Sequence, residues 1–163
     1  MPYSASLIAY AFVKKGIEDG KPVTQMKVQK LVYFAHGIHL ANNGEPLISE
    51  TFQAWKFGPV VPAIYNDYKL YGSSPISDTS TLFILSDIGY GFKEPDLSEL
   101  DKKAIESIDI TWNALKDSNA IQLSNWTHKA GSPWADHFVS GINDIPIPNK
   151  DIENYFKKEF IKN

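Results

Sequence analysis

The sequence predicts a mainly α fold (α+β): one compact helical domain over residues 1–163, organised around a central buried helix with a small antiparallel β-sheet beside it. Three observations predict it. The run over 25–41 is apolar on nearly every face, the pattern of a helix wrapped by other elements. The period then shortens from helical to alternating over 52–57 and lengthens again afterwards. Several further stretches carry an apolar stripe at helical spacing, bounded by capping residues, Gly or Pro. A chain of 163 residues is one domain by length, and its 43% hydrophobic and 13% aromatic content supplies a sizeable core.

Residues 4–19 read as the first helix. Leu7, Ile8, Ala11 and Phe12 form its apolar side, Lys14, Lys15, Glu18 and Asp19 lie opposite or at its end, and Gly20 and Pro22 break it. Thr24 caps the central helix, 25–41. Val28, Leu31, Val32, Ala35 and His39 share one face, and Tyr33, Phe34, Ile38 and Leu40 are apolar on others. Asn42, Asn43 and Gly44 stop it, with Pro46 following. Phe52, Ala54 and Lys56 alternate with Gln53, Trp55 and Phe57, which predicts a short strand with Leu47-Ile48 as its partner and Gly58-Pro59 as its end. Pro62 fits the first turn of a helix that carries Ile64, Tyr65, Tyr68 and Tyr71 and stops at Gly72.

Residues 73–95 are rich in Ser, Asp, Gly and Pro, and Leu82-Phe83-Ile84-Leu85 within them reads as a strand or a buried turn. The next helix starts near Ser98, with Ser98 as its cap, Asp101 at the third helical position, and Ala104, Ile108, Trp112 and Leu115 as its apolar face. Asn119 lies near its end. A short helix over 121–129 holds Leu123, Trp126, Thr127 and His128. Gly131-Ser132-Pro133 restarts the chain, with Trp134 and Phe138 directed to the core. Pro146 and Pro148 mark a stiff link, and the last helix runs from about Lys150 with Ile152, Tyr155, Phe156 and Phe160 as its stripe. There is no internal repeat and no low-complexity segment.

Composition narrows the function. The chain has no cysteine, so disulfides and thiolate metal sites are excluded. The N-terminal apolar run lacks a basic region ahead of it and does not read as a secretory signal, and no apolar run approaches the ~20 residues that span a bilayer. The expected setting is cytoplasmic, without a membrane partner. Net charge is −3, and all 16 basic residues are lysine. The missing arginine fork argues against specific reading of DNA, so no nucleic-acid partner is expected. Acids outnumber lysines over 86–118, which reads as a solvated helix face rather than a dock for a basic partner.

No catalytic motif is present: no G-x-S-x-G, no Cys–His pair, and no phosphate-cradling loop, Gly89 and Gly91 standing outside any such pattern. His36 and His39 are three apart on the central helix and would reach one metal if they faced the same way, but no nearby Asp, Glu or Cys completes a site. They read as core histidines. His128 reads as a brace for the Pro133-Trp134 turn, and His137 as exposed. The expectation is neither enzyme, cofactor nor metal site; the rival class is an enzyme using His39 or His128 with a carboxylate brought near by folding. Aromatic residues gather around Gly58-Pro59. Core packing explains most of them, while Lys56, Tyr65, Tyr68 and Tyr71 form the candidate partner-binding surface, because tyrosine offers large contact area at low entropic cost.

The stretch KLVYFAHGIHLANNGEPL (residues 30–47), followed by QAWKFGPVVPAIYNDYKLYG (residues 53–72), resembles the Panacea domain, also called the SocA-like or phage-associated Gep family. A second block supports it: Leu123-Ser124, then Thr127-His128, then Pro133-Trp134. The resemblance runs from about residue 5 to about residue 157. It departs at Gln53, where an acidic residue is commoner before Ala-Trp, and residues 73–95 match no strong family motif. The resemblance implies an antitoxin of a toxin–antitoxin system that neutralises a cognate protein toxin by direct protein–protein binding. One member is an adaptor that delivers its toxin to an AAA+ protease, so masking and delivery are the two implied mechanisms. Some relatives carry an extra helix-turn-helix region; with no separate DNA-binding segment here, autonomous operator binding is not expected. Of the positions that match the family motifs, His39, Trp55, Gly58, Pro59, His128, Pro133 and Trp134 read as structural.

Overall fold

Helix α2 (Gln25–Asn43) is the axis of the fold in a computed structural model that describes residues 2–78 and 95–160. The Thr24 side chain accepts from the Lys27 amide at 3.2 Å to start it, and Gly44 ends it, two residues beyond the expected boundary. Helices α1 (Ala5–Glu18), α3 (Pro62–Tyr68), α4 (Lys102–Leu115), α5 (Ala120–Thr127) and α7 (Asn149–Phe160) all pack on it. Its all-round apolar surface is the reason: each face needs a separate cover. Helix α7 approaches it tightly at Gly37. A Cβ on Gly37 would stand within 2.4–2.5 Å of the Phe156 ring, so the missing side chain makes room for that ring. Phe156 is fully buried and edges against Tyr33 and Phe34, and burying such a ring contributes about 1.5–3 kcal/mol. Helix α1 is tied to α4 by the Trp112 indole, which donates to the Asp19 carboxylate at 2.6 Å.

The sheet is three-stranded and antiparallel, in the order β2-β1-β3: β1 (Phe52–Trp55), β2 (Gly58–Val60) and β3 (Pro146–Ile147). The predicted class, mainly α with a small antiparallel sheet, holds. Its pairing differs from expectation. Leu47 and Ile48 do not partner β1; their amides donate to the His36 ring, and Ile48 bridges Tyr3. Gly58-Pro59 does not end a strand but opens the second one, because Trp55 pairs with Gly58 and leaves Lys56-Phe57 as a two-residue turn. Pro59 and Pro146 both lie on strands that pair on one side only, where a missing amide proton is tolerated. Pro146 therefore belongs to the sheet rather than to a stiff link.

Three helix boundaries also move. The α4 cap is Asp101, whose carboxylate accepts from the Ala104 amide at 2.8 Å; Ser98 sits in a preceding 3-10 turn, Leu97–Glu99, held by Asp96. Asn119 begins α5 in a reciprocal capping box with Gln122 rather than ending α4. The Pro62 helix gives way after Tyr68 to a 3-10 turn, Lys69–Tyr71. Helix α6 (Pro133–His137) is capped by Ser132. On α7, Ile152 and Phe156 are buried, whereas Tyr155 is half-buried and Phe160 is partly exposed. Leu82-Phe83-Ile84-Leu85 lies outside the described residues. Among the described residues, no helix is long and apolar enough to cross a membrane.

Candidate functional site

Two polar residues on the first half of α2 build the site. Gln29 is buried and meets the backbone of Val61 in both directions: its amide nitrogen donates to the Val61 carbonyl at 3.1 Å, and its oxygen accepts from the Val61 amide at 3.0 Å. A buried amide so matched costs little and fixes where β2 passes into α3. One residue on, Lys30 is 1% exposed and donates to the Phe57 carbonyl at 2.6 Å. Burial lowers its ammonium from the usual lysine range to about 8.

The β1–β2 turn is held from two more directions. Ser124 on α5 donates to the same Phe57 carbonyl at 2.9 Å, and the Trp134 indole on α6 donates to the Trp55 carbonyl at 2.6 Å. Gly58 has a φ of +124°, and a Cβ there would meet the Lys30 Nζ at 2.6 Å and the Thr127 Oγ1 at 3.1 Å. That position needs glycine for its backbone as well as for space. His128 stacks on Trp134 with ring centres 3.8 Å apart and planes 8° from parallel. Its ring is held below the usual histidine range by burial and by the Lys30 charge, with the Phe57 carbonyl acting the other way. That carbonyl already serves Lys30 and Ser124, and the buried His128 Nε2 has no hydrogen-bond partner among the described residues.

Beside this knot a groove of about 480 Å³ opens between α2, the hairpin and α3. Its apolar walls include Met26, Trp55, Val60 and Tyr65, and Lys30 contributes to its lining. The Trp55 and Tyr65 rings lie 5.5 Å apart. Phe57, 57% exposed, and Tyr65, 43% exposed, present aromatic surface at the opening. Lys56 is exposed, its ammonium 5.4 Å from the Phe57 ring centre. Tyr68, expected in the same surface strip, is fully buried, because α3 turns that side toward the core, and its hydroxyl has no hydrogen-bond partner among the described residues. Tyr71 is half-buried and donates to the Asp78 carbonyl at 3.1 Å. The expected strip thus keeps Lys56 and Tyr65 at the surface, with Tyr71 partly covered.

The other histidines are each held by hydrogen bonds. His36 is fully buried, and its Nδ1 accepts from the Leu47 and Ile48 amides at 3.2 and 3.3 Å. Its Nε2 therefore carries the proton and donates to Asn149 at 2.8 Å. Burial pushes its pKa down to about 4. His39 is buried and donates from Nδ1 to the Glu45 carbonyl at 2.8 Å. His137, expected to be exposed, is half-buried; its Nδ1 donates to the Pro133 carbonyl and its Nε2 lies 3.4 Å from the Asp151 carboxylate. Among the described residues, no three His, Cys, Asp or Glu side chains are grouped to hold a metal.

The sequence reading missed Gln29 and Lys30. The signal was present: a helix enclosed on nearly all faces has no exposed side left for Lys30, so its charge had to be buried.

The profile of the family described as "Antitoxin SocA-like, Panacea domain" matches residues 28–135. The chain is 32% identical over 133 residues to the Antitoxin SocA of Caulobacter vibrioides (strain NA1000 / CB15N), covering 80% of this chain and 68% of that protein. No solved structure matches the chain.

Proposed function

The chain belongs to the Antitoxin SocA-like, Panacea domain family, and on that premise we propose that it is the antitoxin of a toxin–antitoxin pair, binding a cognate protein toxin directly in the cytoplasm. The observation that carries the mechanism is the groove beside the β1–β2 turn. It is apolar, it is rimmed by the exposed aromatic surface of Phe57 and Tyr65, and its base is pinned to α2, α5 and α6 by hydrogen bonds. Aromatic side chains on a rigid support are the usual anchors of protein interfaces, because little entropy is lost when they dock. Exposed aromatic surface beside an apolar trough suits the binding of a protein segment.

The test is co-expression. The reading frame adjacent to this gene is induced alone and then with this chain, scoring growth and co-purification. Growth arrest relieved by this chain, with both proteins purifying together, supports neutralisation by masking. Rescue that disappears when the host's AAA+ proteases are deleted identifies delivery for degradation instead. Arrest that this chain does not relieve removes the antitoxin reading for that pair.

A further inference from the structure

Lys30 contributes to the lining of the groove, and among the described residues its buried ammonium has no counter-charge. Lys30 is 1% exposed. Among the described residues its ammonium has the Phe57 carbonyl as its acceptor, and none of the ion pairs includes it. An ammonium carries three donor protons, and a buried cation is ordinarily paired. The neighbouring polar groups offer no relief. The Gln29 amide is occupied by Val61, and the Phe57 carbonyl is shared with Ser124. The Lys30 charge is felt at His128, whose buried Nε2 itself has no partner among the described residues. The rest of the groove surface is mostly apolar, with Thr24, Gln25 and Ser73 also in its lining.

We propose that the groove takes a short segment of the protein partner whose apolar side chains fill the trough beside Trp55 and Tyr65 and whose Asp or Glu carboxylate pairs with the Lys30 ammonium. The identity of the partner as a toxin rests on the function proposed above; the chemistry of the segment does not. A carboxylate is the matching anion because its single negative charge equals that of one ammonium. A phosphate would bring an excess of charge into an apolar wall with no arginine to share it. Because Lys30 is 1% exposed, pairing requires its ammonium to swing toward the groove, and Ser124 then continues to serve the Phe57 carbonyl.

The test uses the full chain and a random-peptide phage-display library, with the Tyr65→Ala variant as the counter-selection surface. The expected result is enrichment of peptides that place an Asp or Glu beside aromatic or aliphatic residues. A synthetic peptide of the enriched sequence is then titrated by calorimetry. Lys30→Met and the peptide's acid-to-amide replacement should each weaken binding by about tenfold or more, the size of a lost charge-assisted hydrogen bond, and the two together should cost little beyond either alone. Circular dichroism checks the fold of Lys30→Met, and the peptide's own amide variant on unaltered protein supplies the same readout if that variant does not fold. Enriched peptides without acids, additive losses, no enrichment over Tyr65→Ala, or a self-dimer in light scattering that Tyr65→Ala abolishes would each overturn the proposal. Because the library contains no toxin, failure here with successful neutralisation removes only the groove chemistry, and success here without neutralisation removes only the antitoxin reading.

Discussion

The Lys30 ammonium, carried by the central helix, is hydrogen-bonded at 2.6 Å to the Phe57 carbonyl at the tip of the β1–β2 turn. A neutral carbonyl is a poor substitute for a carboxylate around a desolvated cation. The lysine therefore stands where an apolar residue of similar length would fold as well, and its charge is a cost to stability near neutral pH.

That cost can be measured. Lys30→Met should retain or gain stability at pH 7, with no loss beyond about 1 kcal/mol, because no ion pair is broken and Ser124 still serves the Phe57 carbonyl. The pH dependence follows in sign. The folded pKa, about 8, lies below the ordinary lysine value of 10.5, so between these values the unfolded chain binds more protons and stability rises with pH. The wild-type chain should thus gain on Lys30→Met between pH 8 and 10.5, by at most about 3 kcal/mol. Urea midpoints of both proteins at pH 7 and pH 10 give the comparison; a large loss in Lys30→Met at pH 7 would show that the ammonium holds the turn.

His36 acts at the other end of the pH scale. Its neutral ring accepts two amides and donates to Asn149, and protonation would put a proton on the nitrogen that accepts. Its folded pKa, about 4, lies below the ordinary histidine value of 6.5, so the unfolded chain binds more protons in that window. Its contribution is complete above about pH 6.5 and falls away toward pH 4, by about 3 kcal/mol in all. His36→Gln should flatten that part of the stability profile relative to wild type, while the carboxylates, common to both, cancel. Parallel profiles for the two proteins would refute the assignment.

Packing of α2 against α7 depends on Gly37. Gly37→Ala places a methyl group within 2.4–2.5 Å of the Phe156 ring and should destabilise the fold by roughly 1–3 kcal/mol through overpacking. Gly37→Ala combined with Phe156→Leu should lose less than the sum of the two single changes, since the smaller side chain vacates part of the space. Denaturant unfolding of the three variants reads this coupling.

Tyr65 and Tyr68, three residues apart on α3, should behave in opposite ways. Tyr68→Ala removes a fully buried ring and should lower stability by about 3–5 kcal/mol. Tyr65→Ala trims a 43% exposed ring at the groove and should leave stability within about 1 kcal/mol while weakening capture of the partner. Thermal unfolding with co-purification separates the two effects; equal loss of partner at equal stability would place the interface elsewhere.

Helix positions were legible where the deciding interactions span one turn. Ser4 and Thr24 cap α1 and α2 within three residues of themselves, and the apolar spacing of Val28, Leu31, Val32 and Ala35 marks a face that is buried in the fold. Ser98 and Asp101 show the limit: both are good caps three residues apart, and Leu100, extended between them, makes Asp101 the one that starts α4. Leu47-Ile48 was a reasonable strand partner by composition, yet Pro146-Ile147, far along the chain, took that place beside β1.

The sequence by itself determined the class of fold, the buried central helix, the family motifs and the absence of cysteine and arginine chemistry, because periodicity, capping and composition act locally or on the whole chain at once. Tertiary structure alone decided that Tyr68 faces inward while Tyr65 faces the groove, and that Lys30, Phe57, Ser124 and Trp134 meet around one turn. Those contacts join positions 27, 67 and 79 residues apart. At such separations no local rule specifies a partner, and the meeting is set by which helix faces pack together and by the need to satisfy each buried polar group that the packing encloses.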